Sequence, residues 1–350
     1  MHLSPLDAGR QADVRPLHSD AVTAVRVCGV YRDDGSVAVA TGGKDLFVAQ
    51  SRLARDVTVA SGRTSGVAGV ATGTNCQGHA REVTSLDWAE ANDALFSCSR
   101  DKTVKQWERE TGRELQTFRG HTTAVAAVAA VAAGAAVVSG GRDGTLVRWD
   151  VATGGNVREA RLSQNVVTSL RRVPGTELLL QASEDKQLRL WDALTLKPVV
   201  AFPRQQYIHT CCDAAADGNV FLTGSNGFNG HGCFVTLWDR RRADKHVEAV
   251  GHTQGVTSCV FLSRDDGSSS THDFCTASMD GSLKMWRGVG VVEVASHDLQ
   301  AFGGSHALAS CAIGGSPVVI AGTVSGAVTV LRCGDNTIES LGVIAPAGSA

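Results

Sequence analysis

One pattern occurs twice between Gly78 and Asp150, at fixed spacing. Gly78-His79 is followed by Ser97, Asp101 and Trp107, and Gly120-His121 by Ser139, Asp143 and Trp149. In both copies His to Ser is 18 residues, Ser to Asp 4 and Asp to Trp 6, and the copies lie 42 apart. A period of about 40–45 residues with Gly-His and Trp-Asp marks is that of a propeller blade, a four-stranded sheet repeated around a central channel.

The spacing has a physical cause. It places His in the loop entering a blade, Ser on the second strand, Asp in the turn after it and Trp on the third strand. An indole N–H, a hydroxyl, an imidazole and a carboxylate can then be linked in series. Each buried polar group would cost about 1–3 kcal/mol if left unpaired, and a relay satisfies them together. Ser, His and Asp also make up a hydrolase triad. A catalytic set does not recur at a regular period, so the repeat rules against that reading.

The pattern can be followed along the chain. Blade 1 has His18, Thr41 and Asp45, with Ser51 at the Trp position. Blades 2 and 3 are the full copies. Blade 4 keeps Asp185 and Trp191-Asp192, with Ser163 for His and Gln181 for Ser. Blade 5 keeps Thr223 and Trp238, has Gly232 for Asp, and carries an insertion, Asn226 to His231. Blade 6 is complete with His252, Thr276, Asp280 and Trp286, and residues Ser263 to Asp273 lengthen its first turn. Blade 7 has Ser325 for Asp and Leu331 for Trp. The expected architecture is all-β: one seven-bladed propeller over residues 13–344, between tails at 1–12 and 345–350. Val14 to Leu17 precede His18 as Glu114 to Phe118 precede His121, so they read as an outer strand and should close the ring by joining blade 7. Thr337 to Ile344 competes for the same slot. Ser61 to Cys76 is small and Gly-rich and reads as a long loop, with a weak outer strand within it as the alternative.

Composition narrows the function. Net charge is −2, against a general electrostatic grip on nucleic acid. Ten Cys occur without a C-x-x-C pair, which suits small buried hydrophobes in a reducing compartment. Cys76-x-x-His79 is the nearest approach to a metal pair, but His79 already has a place in the repeat. No secretory leader and no run of apolar residues long enough for a membrane span is evident. No metal, cofactor or small-molecule substrate is expected. His209, His231 and His272 are spare, but sit apart with no common spacing.

Partner contacts should then fall on loops. The His loop and the Asp turn must share a rim, so the residue before each Asp faces solvent near the channel. Around the ring these are Lys44, Arg100, Arg142, Glu184, His231, Met279 and Val324. Cations on three consecutive blades point to an acidic peptide or phosphorylated segment, with an ordinary solvated rim as the plain alternative. Phe228 in the blade 5 insertion is either an exposed contact or a lid on the channel. Arg240, Arg241, Arg242 and Lys245 cluster on the other rim, where a solvated turn is the simpler account than RNA or acidic lipid.

These repeats resemble the WD-repeat propeller family over about residues 14–344. A narrower resemblance lies in blades 4 and 5. Leu180-Gln-Ala-Ser-Glu-Asp-Lys-Gln-Leu-Arg-Leu-Trp-Asp192, and Ser225-Asn-Gly-Phe-Asn-Gly-His-Gly-Cys233 leading to Trp238-Asp239, are similar to the WD repeat-containing protein 31 family. That resemblance implies a non-catalytic scaffold in ciliary or flagellar cargo transport, alongside GTPase-regulating proteins. It places the chain in the cytoplasm, at the cilium, flagellum or basal body. A scaffold of a ribonucleoprotein or nuclear assembly is the alternative. An enzyme is disfavoured because the repeats account for most Asp and His.

Overall fold

The computed structural model describes residues 17–28, 36–59, 67–89, 93–162, 166–242, 246–263, 272–288 and 290–344. Their strands form seven sheets, each of four strands taken in chain order. Pairing is antiparallel throughout. The innermost strands are Val22–Val27, Val83–Ala89, Val125–Val131, Val167–Arg172, His209–Ala214, Val256–Phe261 and Ser305–Ile313. Each touches the next and the last touches the first. The chain is therefore a seven-bladed β-propeller.

Position in the blade explains the composition of each strand. Second strands are sandwiched by neighbouring blades, so both faces are covered and the sequence is a continuous small or apolar run. Ala94–Ser99, Ala136–Gly141 and Val220–Ser225 are buried at every residue. Outer strands face water: Asn156–Arg161 is almost wholly exposed.

Two outer strands settle what the sequence leaves open. The Gly-rich stretch, read as a loop or a weak outer strand, supplies Val67–Cys76, the fourth strand of blade 1, paired with Val48–Val59; residues 60–66 lie outside the described set. The outer strand of blade 7 is Ile338–Ile344. Leu17 sits in a bend rather than a strand, and 14–16 are not among the described residues. Blades 7 and 1 instead meet face to face. Val22, Val25, Val39 and Leu53 pack on Ile320, Val328, Leu341 and Ile344, and the His18 N–H donates to Gly326 O at 3.1 Å. Most of the lengthened blade 6 turn, 264–271, also lies outside the described residues.

A second repeat appears beside the channel. The second residue of the inner strand is Thr in five blades, and its Oγ1 donates to the next blade's backbone. Thr84 reaches Val125 O at 2.6 Å, Thr168 reaches His209 O at 2.7 Å, and Thr210 and Thr257 reach Val256 O and Ser305 O at 2.6 Å. Thr23 makes the same bond to Val83 O. Ala126 and His306 hold this position in blades 3 and 7. The seams 3/4 and 7/1 lack the stitch. Thr84→Val is expected to lower stability by about 1 kcal/mol, and Ala126→Thr to raise it by a similar amount. Urea midpoints measure both.

Candidate protein-interaction surface

The relay fixes the rim from which contacts can be made. In blade 2, Trp107 Nε1 donates to Ser97 Oγ at 2.7 Å, Ser97 Oγ meets His79 Nε2 at 2.7 Å, and His79 Nδ1 meets Asp101 at 2.8 Å. Blade 3 repeats this through Trp149, Ser139, His121 and Asp143, at 2.8, 2.7 and 3.2 Å. Blade 6 does so through Trp286, Thr276, His252 and Asp280, at 2.8, 2.8 and 3.3 Å. Each Asp also accepts the N–H of the residue after its His: Ala80, Thr122 and Thr253. Burial pushes the Asp143 carboxyl up, but the Thr145 hydroxyl, His121 and the N–H groups of Thr122 and Thr145 outweigh it and hold it down at about 2.

The glycine of Gly-His has its own reason. A Cβ on Gly120 would lie 2.9 Å from Trp149 Cη2, and on Gly251 it would lie 2.4 Å from Trp286 Cη2. The indole edge takes that space. In blade 1 both residues change together: Ser51 stands for Trp and Leu17 for Gly, and Leu17 packs into the apolar seam with blade 7. His18 still bonds Thr41 and Asp45, at 2.8 and 2.9 Å.

Blades 4 and 5 replace the relay. Trp191 Nε1 donates to Gln181 Oε1 at 2.6 Å, and Asp185 receives Arg189 Nη2 at 2.6 Å. A guanidinium thus takes the imidazole's part; Ser163 lies outside the described residues. In blade 5, Trp238 Nε1 donates to Thr223 Oγ1 at 3.0 Å. Gln205 stands four residues before the inner strand, where His18, His79, His121 and His252 stand elsewhere. His209 opens that strand, a position held by Val22, Val83, Val125, Val167 and Val256 in five other blades. Its ring lies 6.0 Å from Trp238, against 5.9–6.3 Å for the relay pairs of blades 2, 3 and 6. Neither ring nitrogen has a hydrogen-bond partner among the described residues. Burial lowers its pKa to about 4, with Asp185 opposing.

On the rim, the basic arc is less free than the sequence suggests. Arg100 pairs with Glu82 at 3.1 Å and Arg142 with Glu184 at 3.1 Å. Lys44 and His231 are exposed. The insertion is a tight hairpin, not a flexible loop. Phe228 N–H donates to His231 O at 2.9 Å and His231 N–H to Phe228 O at 3.0 Å. Asn229 and Gly230 between them have φ of 50° and 75°, the two-residue turn that Asn-Gly favours. Gly230 N–H is tied to Thr253 O of blade 6 at 2.8 Å. Phe228 is nonetheless 66% exposed. It lines a channel-mouth cavity of about 680 Å³ with Lys44, Arg100, Met279 and His306.

The other mouth, about 570 Å³, holds Arg26, Asp87, Arg171 and Asp213. The acids are matched. Arg26 pairs with Asp87 at 3.4 Å and Arg171 with Asp213 at 3.5 Å. Asp87 and Asp213 also accept Ala130 N–H and Phe261 N–H from the next blade, both at 2.8 Å. Near the same mouth, His272 contacts Asp217 at 3.4 Å. On that rim Arg241 is clamped to Asp239 at 2.8–2.9 Å; Lys245 is not among the described residues. All ten Cys are buried, and none is in a disulfide. Burial pushes the Cys76 thiol up to about 11, against the bond from Gln50. Among the described residues no group of three metal-ligating side chains gathers, and no helix is long and apolar enough to cross a membrane.

Fold and relay together define a seven-bladed β-propeller with a polar relay recurring in blades 2, 3 and 6. The WD40 family model (WD domain, G-beta repeat) matches residues 70–108, 112–150 and 245–287, which with the seven blades supports a WD-repeat family. A stretch of 46 residues is 41% identical to eukaryotic translation initiation factor 3 subunit I of Schizosaccharomyces pombe, covering 13% of this chain. The match spans 14% of that relative's length. The narrower likeness of blades 4 and 5 to the WD repeat-containing protein 31 family gains no support from these matches, and the WD40 stretches lie almost wholly outside those blades.

Proposed function

We propose that this propeller is a non-catalytic scaffold that docks other proteins at the Phe228 mouth, and that it works in ciliary or flagellar cargo transport. WD propellers typically act as such scaffolds. The observation that carries the docking site is an aromatic ring held two-thirds exposed by a hairpin that is itself tied down. Exposed aromatics on a rigid support suit recognition, because little entropy is lost when a partner covers them. The ciliary assignment rests on the Ser225 to Cys233 insertion and Gln181. GTPase-regulating partners and a place at the cilium, flagellum or basal body go with it.

A second reading, a subunit of a translation or other ribonucleoprotein assembly, is favoured by the match to the initiation-factor subunit. Proximity labelling with the tagged chain in ciliated or flagellated cells separates the two. Ciliary trafficking proteins are expected among the labelled partners, with a severalfold drop for Phe228→Ala. Recovery of initiation factors or RNA-dependent sedimentation would favour the second reading, and labelling unchanged by Phe228→Ala would remove this mouth as the docking site.

A further inference from the structure

The Phe228 mouth is lopsided. One side is apolar: Phe228 on blade 5, Met279 on blade 6 and Val324 on blade 7 are 66%, 63% and 39% exposed. Met279 and Val324 share one register, immediately before the Asp position. The other side is cationic, but its charges are unequal. Glu82 and Glu184 hold Arg100 and Arg142. Lys44 is exposed and makes no ion pair among the described residues. Asp20, the acid on the neighbouring loop, is turned to its own backbone and accepts Ala21 N–H at 2.6 Å. Lys44, Phe228 and Met279 line the same cavity of about 680 Å³.

We infer that this mouth receives an acidic, hydrophobic peptide segment of a partner protein: an aromatic or aliphatic side chain seats between Phe228 and Met279, and a carboxylate of the same segment meets Lys44. The inference rests on the docking reading above and names the chemistry of what docks. A single free ammonium matches one carboxylate. Phosphate recognition favours the bidentate fork of Arg, and both neighbouring forks are already engaged. A nucleic-acid strand would require a track of free cations. The apolar half supplies burial, and the charge fixes which way the segment lies.

The test is selection of a random-peptide phage library on the full chain, followed by titration of one enriched synthetic peptide. Enriched sequences are expected to combine aromatic or large aliphatic residues with Asp or Glu. Lys44→Glu and Met279→Asp should each weaken the peptide by about tenfold or more, while Arg242→Glu on the far rim leaves it unchanged. Both positions are exposed, and Lys44→Ala, with an unchanged melting temperature, serves as the milder second variant. Enrichment without acidic residues, binding indifferent to Lys44, or no enrichment at all overturns the inference. If Phe228→Ala still abolishes partner labelling in cells, the docking reading stands without it; if labelling is unchanged, that reading falls on its own account.

Discussion

Replacing Trp149 with alanine is expected to destabilise the propeller by about 3–5 kcal/mol. The ring is 1% exposed and packs against Phe118 at 5.9 Å and His121 at 6.2 Å. Removing it opens a cavity between blades 2 and 3 beside Gly120, which has no side chain to fill it. It also strips a donor from Ser139 Oγ. Trp149→Phe keeps most of the packing and loses the bond, so about 1–2 kcal/mol is expected. Equilibrium denaturation of the two variants separates packing from relay. A loss below about 1 kcal/mol for the alanine variant would mean that the neighbouring blades close over the gap.

His209→Val is expected to do the opposite and stabilise the protein. Valine is the residue found at that place in five other blades, and it carries no ring nitrogens to leave unpaired. At neutral pH a gain of about 1–3 kcal/mol is expected from removing the unsatisfied groups. The pH dependence gives a sharper sign. His209 has its folded pKa lowered to about 4 by burial, against about 6.5 in the unfolded chain. The unfolded state therefore binds the proton first. Stability falls as pH drops from about 6.5 towards 4 and levels off below, an interval of roughly 3 kcal/mol. The valine variant should lack that slope. Melting temperatures of both proteins across pH 4–7 decide it, and parallel curves would assign the slope to other groups.

What was legible in the sequence was what a relay or a period enforces. Trp107, Trp149 and Trp286 sit at fixed offsets because each indole must meet a hydroxyl on the facing strand. Six blades could be counted from the same marks, and the seventh, with Ser325 and Leu331 in place of Asp and Trp, from its apolar strands. Outer strands were harder. Val14 to Leu17 and Thr337 to Ile344 both alternate weakly, because an exposed edge asks little of its side chains, and only packing shows which one pairs. Val67–Cys76 was legible only as a weak strand within a loop, for the same reason. Arg100 pairs with Glu82 in the loop before its own blade's inner strand, and Arg142 with Glu184 in the equivalent turn of the next blade, so the row of cations looked freer than it is. Two missed signals were present. Asn229-Gly230 marks a two-residue hairpin, and Val-Thr opens the inner strand at Val22, Val83, Val167 and Val256.

Every sheet is assembled from four strands that follow one another along the chain. During synthesis, no blade then has to wait for a distant segment to complete its own hydrogen bonding. Panels can finish in the order they emerge, each docking on its predecessor, and the greasy join between the seventh and the first is left for last.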